Sequence, residues 1–481
     1  MSAEASIRYG TAEGRWVIVA AVLGSGIVFL DGTVVNVALP AISRDLHASM
    51  RGLQWMLDSY LVTLSSLLLL GGSAGDRYGR RRVFVAGLAG FVAASILCGL
   101  APGVGFLIAA RALQGVAGAL LVPASLSIIS STFDPDDRGA AIGAWSGLAA
   151  VAGAAGPLLG GWLVDAGSWR LIFFLNVPLA AAAVSIALRH VPETRDEDAG
   201  PLDVAGATLV SAGIALMSYA LIEHGRATAS LATAVAGVVA LLAFVAAEAR
   251  RDHPMLPLSL FRSHQFTGAN LTTFAVYGAM GAAMFLVVLR LQVTLGYSAL
   301  EGGASLLPFT GLMLTLSARV GALAQRVGPR LPMTVGPLVS AAGLLLFSRI
   351  GPGDHYVTGV LPAATIFGLG MTITVAPLTA AVLAAVDRRR AGVASGVNNA
   401  AARLAGLLGI AVIPAVAGID SGAGVAASLD HGYGYALRIS AAICAAGGVV
   451  AGLFVRESTP VRSITHPSPV HACVGEVSSP A

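Results

Sequence analysis

Two aspartates and two arginines stand inside long apolar runs of this 481-residue chain: Asp31, Asp58, Arg111 and Arg290. A charge held in hydrocarbon is costly, so such residues are functional candidates by default. Carboxyls beside a guanidinium suit reversible protonation: burial favours the neutral acid, and a nearby arginine favours the carboxylate. A fold that altered solvent access to them would alter both effects together and so move a proton. No His-Glu-x-x-His zinc pattern, lysine-bearing phosphate loop or nucleophile constellation accompanies them. Cys98, Cys444 and Cys473 have neither paired nor metal-like spacing. Neither a metal nor a cofactor is expected, and the chain does not read as an enzyme.

The elements that must position these charges follow from solubility. Hydrophobic residues make up 56% of the chain and charged residues 11%, against roughly 25% charged in soluble domains. The apolar residues form runs long enough to span a bilayer as helices, whereas a β-barrel would alternate in segments of about ten residues. Fourteen spans are predicted: 16–39, 53–72, 83–101, 104–128, 139–163, 171–189, 204–222, 229–248, 267–292, 302–322, 332–350, 356–382, 392–417 and 434–455. The first run is too long for a signal-peptide core and is expected to stay as helix one. At about 1.5 Å per residue, Asp31, Asp58 and Arg111 lie at similar depth, roughly 8–12 Å below one boundary. Helices of one bundle would bring them together.

All 29 basic residues are arginine, which reads as compositional bias, and the net charge of +4 does not point to nucleic acid. Their placement is informative. Arg77, Arg80, Arg81 and Arg82, then Arg250 and Arg251, then Arg388, Arg389 and Arg390, all share the side of the N-terminus. The positive-inside rule makes that side cytoplasmic, and an even span count puts both termini there. There is also an internal echo. Gly72, Arg77, Gly79 and Arg81 recur as Gly321, Arg326, Gly328 and Arg330, and Val122-Pro123 is echoed by Ala376-Pro377. Each match pairs spans eight apart, as expected for two six-helix halves separated by two inserted helices. The expected organisation is a cytoplasmic segment (1–14), an N-terminal six-helix bundle (15–190), a link with two inserted helices (191–250), a C-terminal six-helix bundle (251–456) and a disordered cytoplasmic tail (457–481). Repeats meeting at a central site are a transporter architecture.

The stretch Gly72-Ser-Ala-Gly-Asp76-Arg77-Tyr-Gly79-Arg80-Arg81 resembles the loop signature of the major facilitator superfamily, with Ala74 at the leucine position. In span 5, Gly153-Ala-Ala-Gly156-Pro157-Leu-Leu-Gly160-Gly161 resembles that family's antiporter motif, with Ala152 at its first glycine. Leu30-Asp31-Gly32-Thr33-Val-Val-Asn36 and Arg111-Ala-Leu-Gln114-Gly115 are similar to motifs of its fourteen-helix drug:proton antiporters. The resemblance covers almost the whole chain. It implies proton-coupled export of drugs or small amphipathic molecules, with Asp31, Asp58 and Arg111 in coupling. Gln114, Asn398 and Asn399 would then line the substrate path.

Alternatives stay open at several positions. Asp58 also fits an interfacial residue, Arg111 a structural partner of an aspartate, and Asn398 and Asn399 interhelical hydrogen bonds. Arg290 is expected to snorkel to the membrane surface, and Arg403 fits either role. A proton-coupled symporter and a non-transporting sensor are the competing functions, since fold does not fix function. The expected partners are a small-molecule substrate, protons and the lipid bilayer, for a monomer in the plasma (inner) membrane.

Overall fold

The computed structural model describes residues 7–134, 137–196, 202–223, 227–251, 254, 256–386, 391–419 and 425–456. Expectations for residues 1–6, for Arg388, Arg389 and Arg390, and for the tail with Cys473 lie outside the described residues.

Local chemistry starts many of the helices. Helix α1 (Ala12–Asp45) begins where the Thr11 hydroxyl accepts from the Gly14 amide at 3.1 Å. Ser49 caps α2 (Met50–Tyr78) in the same way, supplying an acceptor to an amide that has no intrahelical partner. The first group continues with α3 (Arg80–Gly99), α4 (Val104–Thr132) and α5 (Arg138–Ala166). The sixth span is broken at Leu175 into α6 (Leu171–Phe174) and α7 (Asn176–His190). Two helices follow, α8 (Val204–Ile222) and α9 (Ala227–Glu248).

The last group comprises α10 (His264–Val293), α11 (Ala299–Ala304), α12 (Leu307–Val327), α13 (Arg330–Phe347), α14 (Leu361–Ala384), α15 (Ala391–Val416) and α16 (Val425–Phe454). Among the described residues thirteen helices are long and apolar enough to cross a bilayer, and the bent α2 makes fourteen. That bend, 51° between Met50–Leu68 and Leu70–Tyr78, was not legible as a proline. Ser65 and Ser66 each return a hydroxyl to the carbonyl four residues back, at 2.6 Å, a pattern that bends helices.

Helices α1–α7 pack mainly on one another, as do α10–α16, while α9 packs on α8, which leans on α2 and α15. One buried cluster fills the first group around Phe84, Phe91 and Leu121. The largest crosses between the groups, joining Val34, Leu39 and Leu53 to Phe285, Leu286 and Phe347. The face carrying the start of α1 and the end of α16 is the terminal face; the opposite one is the distal face.

Candidate functional site: a buried ion pair and a sealed seam

Asp31, on the middle of α1, is fully buried. Arg111 of α4 donates to its Oδ2 at 2.5 Å. Gln114, one turn further along α4, donates from Nε2 to Asp31 Oδ1 at 3.0 Å and to Ser95 Oγ at 2.8 Å. Asn176 Nδ2, at the start of α7, reaches the same two acceptors at 3.3 and 3.2 Å. The Arg111 guanidinium also donates to Gln114 Oε1 at 2.6 Å and lies 4.0 Å from the Tyr60 ring centroid. A buried ion pair is tolerable only when such additional bonds satisfy its remaining lone pairs and protons. Here four helices supply them.

Asp58 does not join that pair. It is fully buried on α2, and neither carboxylate oxygen has a hydrogen-bond partner. Met56 and Tyr60, on either side of it, turn toward α4 and α1: the Met56 carbonyl accepts from Arg111 Nε, and the Tyr60 hydroxyl donates to the Val28 carbonyl. Gln54 and Val62, one turn away in each direction, meet α15 instead. Helical spacing therefore turns Asp58 toward the seam between the two groups. Similar depth placed the three charges together in the sequence; the direction in which each side chain leaves its helix separates Asp58 from the other two.

Gln114 is fully buried within the Asp31–Arg111 network rather than exposed along a path. Asn398 donates to Thr273 Oγ1 at 2.7 Å and to Asn270 Oδ1 at 3.2 Å, tying α15 to α10. Asn399 is half-buried. Arg290 departs from expectation: it is buried, pairs with Asp430, and donates to the Ile350 carbonyl at 3.3 Å. The acid waiting at the start of α16, far along the chain, replaces solvent as its partner. Sequence reading missed Ser95 and Asn176. Their signal was a polar side chain inside an apolar run.

Among the described residues, every hydrogen bond between the two six-helix groups lies toward the distal face. Pro414 lacks an amide hydrogen, which leaves the Ile410 carbonyl without its intrahelical donor. Gln54 Nε2 fills that vacancy from α2 at 2.9 Å. Gln292 Nε2 donates to the Val37 carbonyl at 2.9 Å. Asp165, at the end of α5, accepts from the Ala299 and Leu300 amides at 3.1 and 2.8 Å. A carboxylate from one group thus caps the first turn of α11 in the other, where free amides and the helix dipole favour negative charge.

The glycine-proline stretch of α5 serves this seam. Pro157 frees the Gly153 carbonyl, which accepts from Thr33 Oγ1 of α1 at 2.8 Å. A side chain at Gly160 would meet the Val34 carbonyl at 3.0 Å, and one at Gly161 the Leu300 Cα at 2.5 Å. Gly156 packs on Leu30 and Thr33 of α1. Small residues let these backbones approach.

At the terminal face, Asp76 accepts from Arg80 Nε and Nη2 at 3.0 and 2.9 Å and from Ser127 Oγ at 3.2 Å. Gly79 sits at φ 106°, and a side chain there would lie 2.6 Å from Glu193 Oε1. Glu193 caps α3 through the Arg81 and Arg82 amides at 3.1 and 3.2 Å. Arg81 also donates to the Val191 carbonyl, while Arg77 lies beside the Tyr78 ring. In this stretch it is Gly71, packed against the Ala119 carbonyl of α4, and not Gly72 that admits the neighbouring backbone; Gly72 has ordinary contact with Pro123.

The sequence model of the Major Facilitator Superfamily matches residues 21–410. The chain belongs to the Major Facilitator Superfamily. This membership makes it a multi-pass membrane transporter. A probable actinorhodin transporter of Streptomyces coelicolor is 34% identical over 91% of this chain and 79% of its own length. A puromycin resistance protein of Streptomyces alboniger is 34% identical over 92% of each chain. A cephamycin export protein of Amycolatopsis lactamdurans is 34% identical over 92% of this chain and 93% of its own. Among solved structures, a bacterial homolog of the human lysosomal transporter Spinster, inward-facing and unoccupied, superposes with a TM-score of 0.67. It is 16% identical and covers 94% of this chain and all of its own. That solved structure shares the helical fold described above.

Proposed function

We propose that this transporter exports small amphipathic molecules from the cytoplasm in exchange for protons, with Asp58 as the proton-carrying group. The observation that carries this reading is the Asp58 carboxyl, fully buried without a partner at the seam between the halves. A bare carboxylate there would cost several kcal/mol, and a proton removes that cost. The names of its relatives, which describe antibiotic transport and resistance, support export.

With the termini in the cytoplasm of a plasma-membrane protein, the distal face is outside and this conformation is closed to the outside. Asp58 takes a proton when the outside is open and is buried as the acid when Gln54, Gln292 and Asp165 close the seam. The proton then leaves toward the cytoplasm, and the unneutralised carboxylate favours reopening outward. Asp31 stays paired with Arg111 and holds α1 against α4 through the cycle. One proton crossing 100 mV supplies about 2.3 kcal/mol, enough to sustain roughly a 50-fold gradient of a neutral solute.

Inverted vesicles with an imposed proton gradient test the reading, with puromycin and cephamycin as trial substrates. Wild type should accumulate a substrate and release protons on its addition, and Asp58→Asn should bind the substrate without gradient-driven accumulation. Full gradient-driven accumulation by Asp58→Asn would refute the role given to Asp58. Proton uptake together with substrate in the same direction would refute exchange.

A further inference from the structure

Arg403 is the core cation that the coupling scheme leaves unused. It lies on α15 of the C-terminal group, half-buried, and its Nε is enclosed without a hydrogen-bond partner. Among the described residues no carboxylate forms an ion pair with it. The other two arginines of the apolar core differ: Arg111 pairs with Asp31, and Arg290 with Asp430. The Arg403 guanidinium lies 5.6 Å from the ring centroid of Phe29, which comes from α1 of the opposite group. It therefore stands between the halves, where a substrate of this family must pass.

Its surroundings are arranged as a recognition surface. Asn399 lies one turn along α15 on the same face, half-buried, with no side-chain hydrogen bond among the described residues. Its neighbour Asn398 is already committed to α10. Beyond Phe29 on α1, Gly32 is exposed, with nothing within 4 Å of where a side chain would start. A guanidinium offers a planar fork of donors matched to carboxylate oxygens. Asn399 adds an amide donor, Phe29 an aromatic face, and Gly32 room beside both.

We infer that Arg403 and Asn399 bind the anionic group of the transported molecule, so that the substrate class is an apolar, ring-containing body bearing a carboxylate or ionised phenol. Phe29 covers the ring system, and the bound anion supplies the counter-charge that the protein lacks at this position. Cations of the same size are disfavoured by repulsion from the unpaired guanidinium. The inference rests on the transport reading, but not on the proton-carrying role of Asp58.

The test compares two fluorescent probes of equal shape, anthracene carboxylate and its neutral carboxamide, binding to the full chain in phosphatidylcholine nanodiscs. Wild type should bind the carboxylate about tenfold more tightly or better, the scale of one charge-assisted hydrogen bond. Arg403→Gln should bring the carboxylate down to the affinity of the amide and leave the amide unchanged, which also reports that the variant is folded. Arg403→Lys should keep a reduced preference. Equal wild-type affinities, or an undiminished preference in Arg403→Gln, would overturn the proposal. So would loss of the preference on changing the lipid to phosphatidylglycerol, which would assign the guanidinium to lipid headgroups. Binding needs no proton gradient, so failure of the Asp58 scheme in vesicles would leave this result readable.

Discussion

A guanidinium and a carboxylate buried together depend on each other, and Asp31 and Arg111 are such a pair. Removing one partner strands the other charge, at about 3–5 kcal/mol. Asp31→Asn and Arg111→Gln should each lower the melting temperature of the purified protein sharply, while the double variant should recover most of the loss. Additive losses in thermal melts would show that the charges act independently. Asp58→Asn should behave differently. It replaces a carboxyl that has no partner, so stability should be retained within about 1 kcal/mol. The sequence displayed each of these charges, because an acid or arginine in an apolar run stands out. It did not display which aspartate Arg111 pairs with. Asp31 and Arg111 lie eighty positions apart, and depth alone made Asp58 an equal candidate. Asn176 and Ser95 completed the network unannounced, being ordinary polar residues whose importance comes only from their neighbours.

The α1–α5 contact shows why the glycine-proline stretch has its spacing. Pro157 opens a carbonyl to Thr33, and Gly156 and Gly160, four residues apart, admit Thr33 and Val34 on the facing helix. Gly160→Leu should hold α1 away from α5 and weaken closure of the distal face. Cysteine pairs placed across the α5–α11 contact should then cross-link more slowly than in the parent, and an unchanged rate would contradict this account. At the other end, Gly79→Ala should cost roughly 1–3 kcal/mol for its positive-φ backbone and disturb the Glu193 cap, read as faster amide exchange at the start of α3. Both glycine motifs were legible in the sequence by spacing. The bend of α2 and the rescue of the Ile410 carbonyl by Gln54 were not. Each depends on which carbonyl a side chain or a distant helix happens to face.

At the scale of the whole transporter, two helical groups meet through a distal seam made of a few specific polar contacts over a shared apolar core. Asp165 is the charged member of that seam. Asp165→Asn keeps one acceptor but loses the charge that favours the α11 amide end, an effect of about 0.3–1 kcal/mol. The distal-open population should rise by roughly two- to fivefold, measured as faster labelling of a cysteine placed at Val37, which is buried at the seam beside Gln292; no change would remove Asp165 from the seam's energetics. Composition and run length foretold the spanning helices, because insolubility in water is a property of the whole chain. The conformation adopted was beyond the sequence, since two packings of the same halves share one hydropathy pattern.

The central claim is that the proton on Asp58 decides which packing wins, and it can be measured without knowing the substrate. Spin labels at Gly167 and Gly296, on opposite sides of the distal seam, report its opening as pH is raised. Protonation permits burial of Asp58, so wild type should be closed at low pH and open progressively as pH rises, while Asp58→Asn stays closed throughout. An Asp58→Asn variant that opened with pH as wild type does would contradict the account.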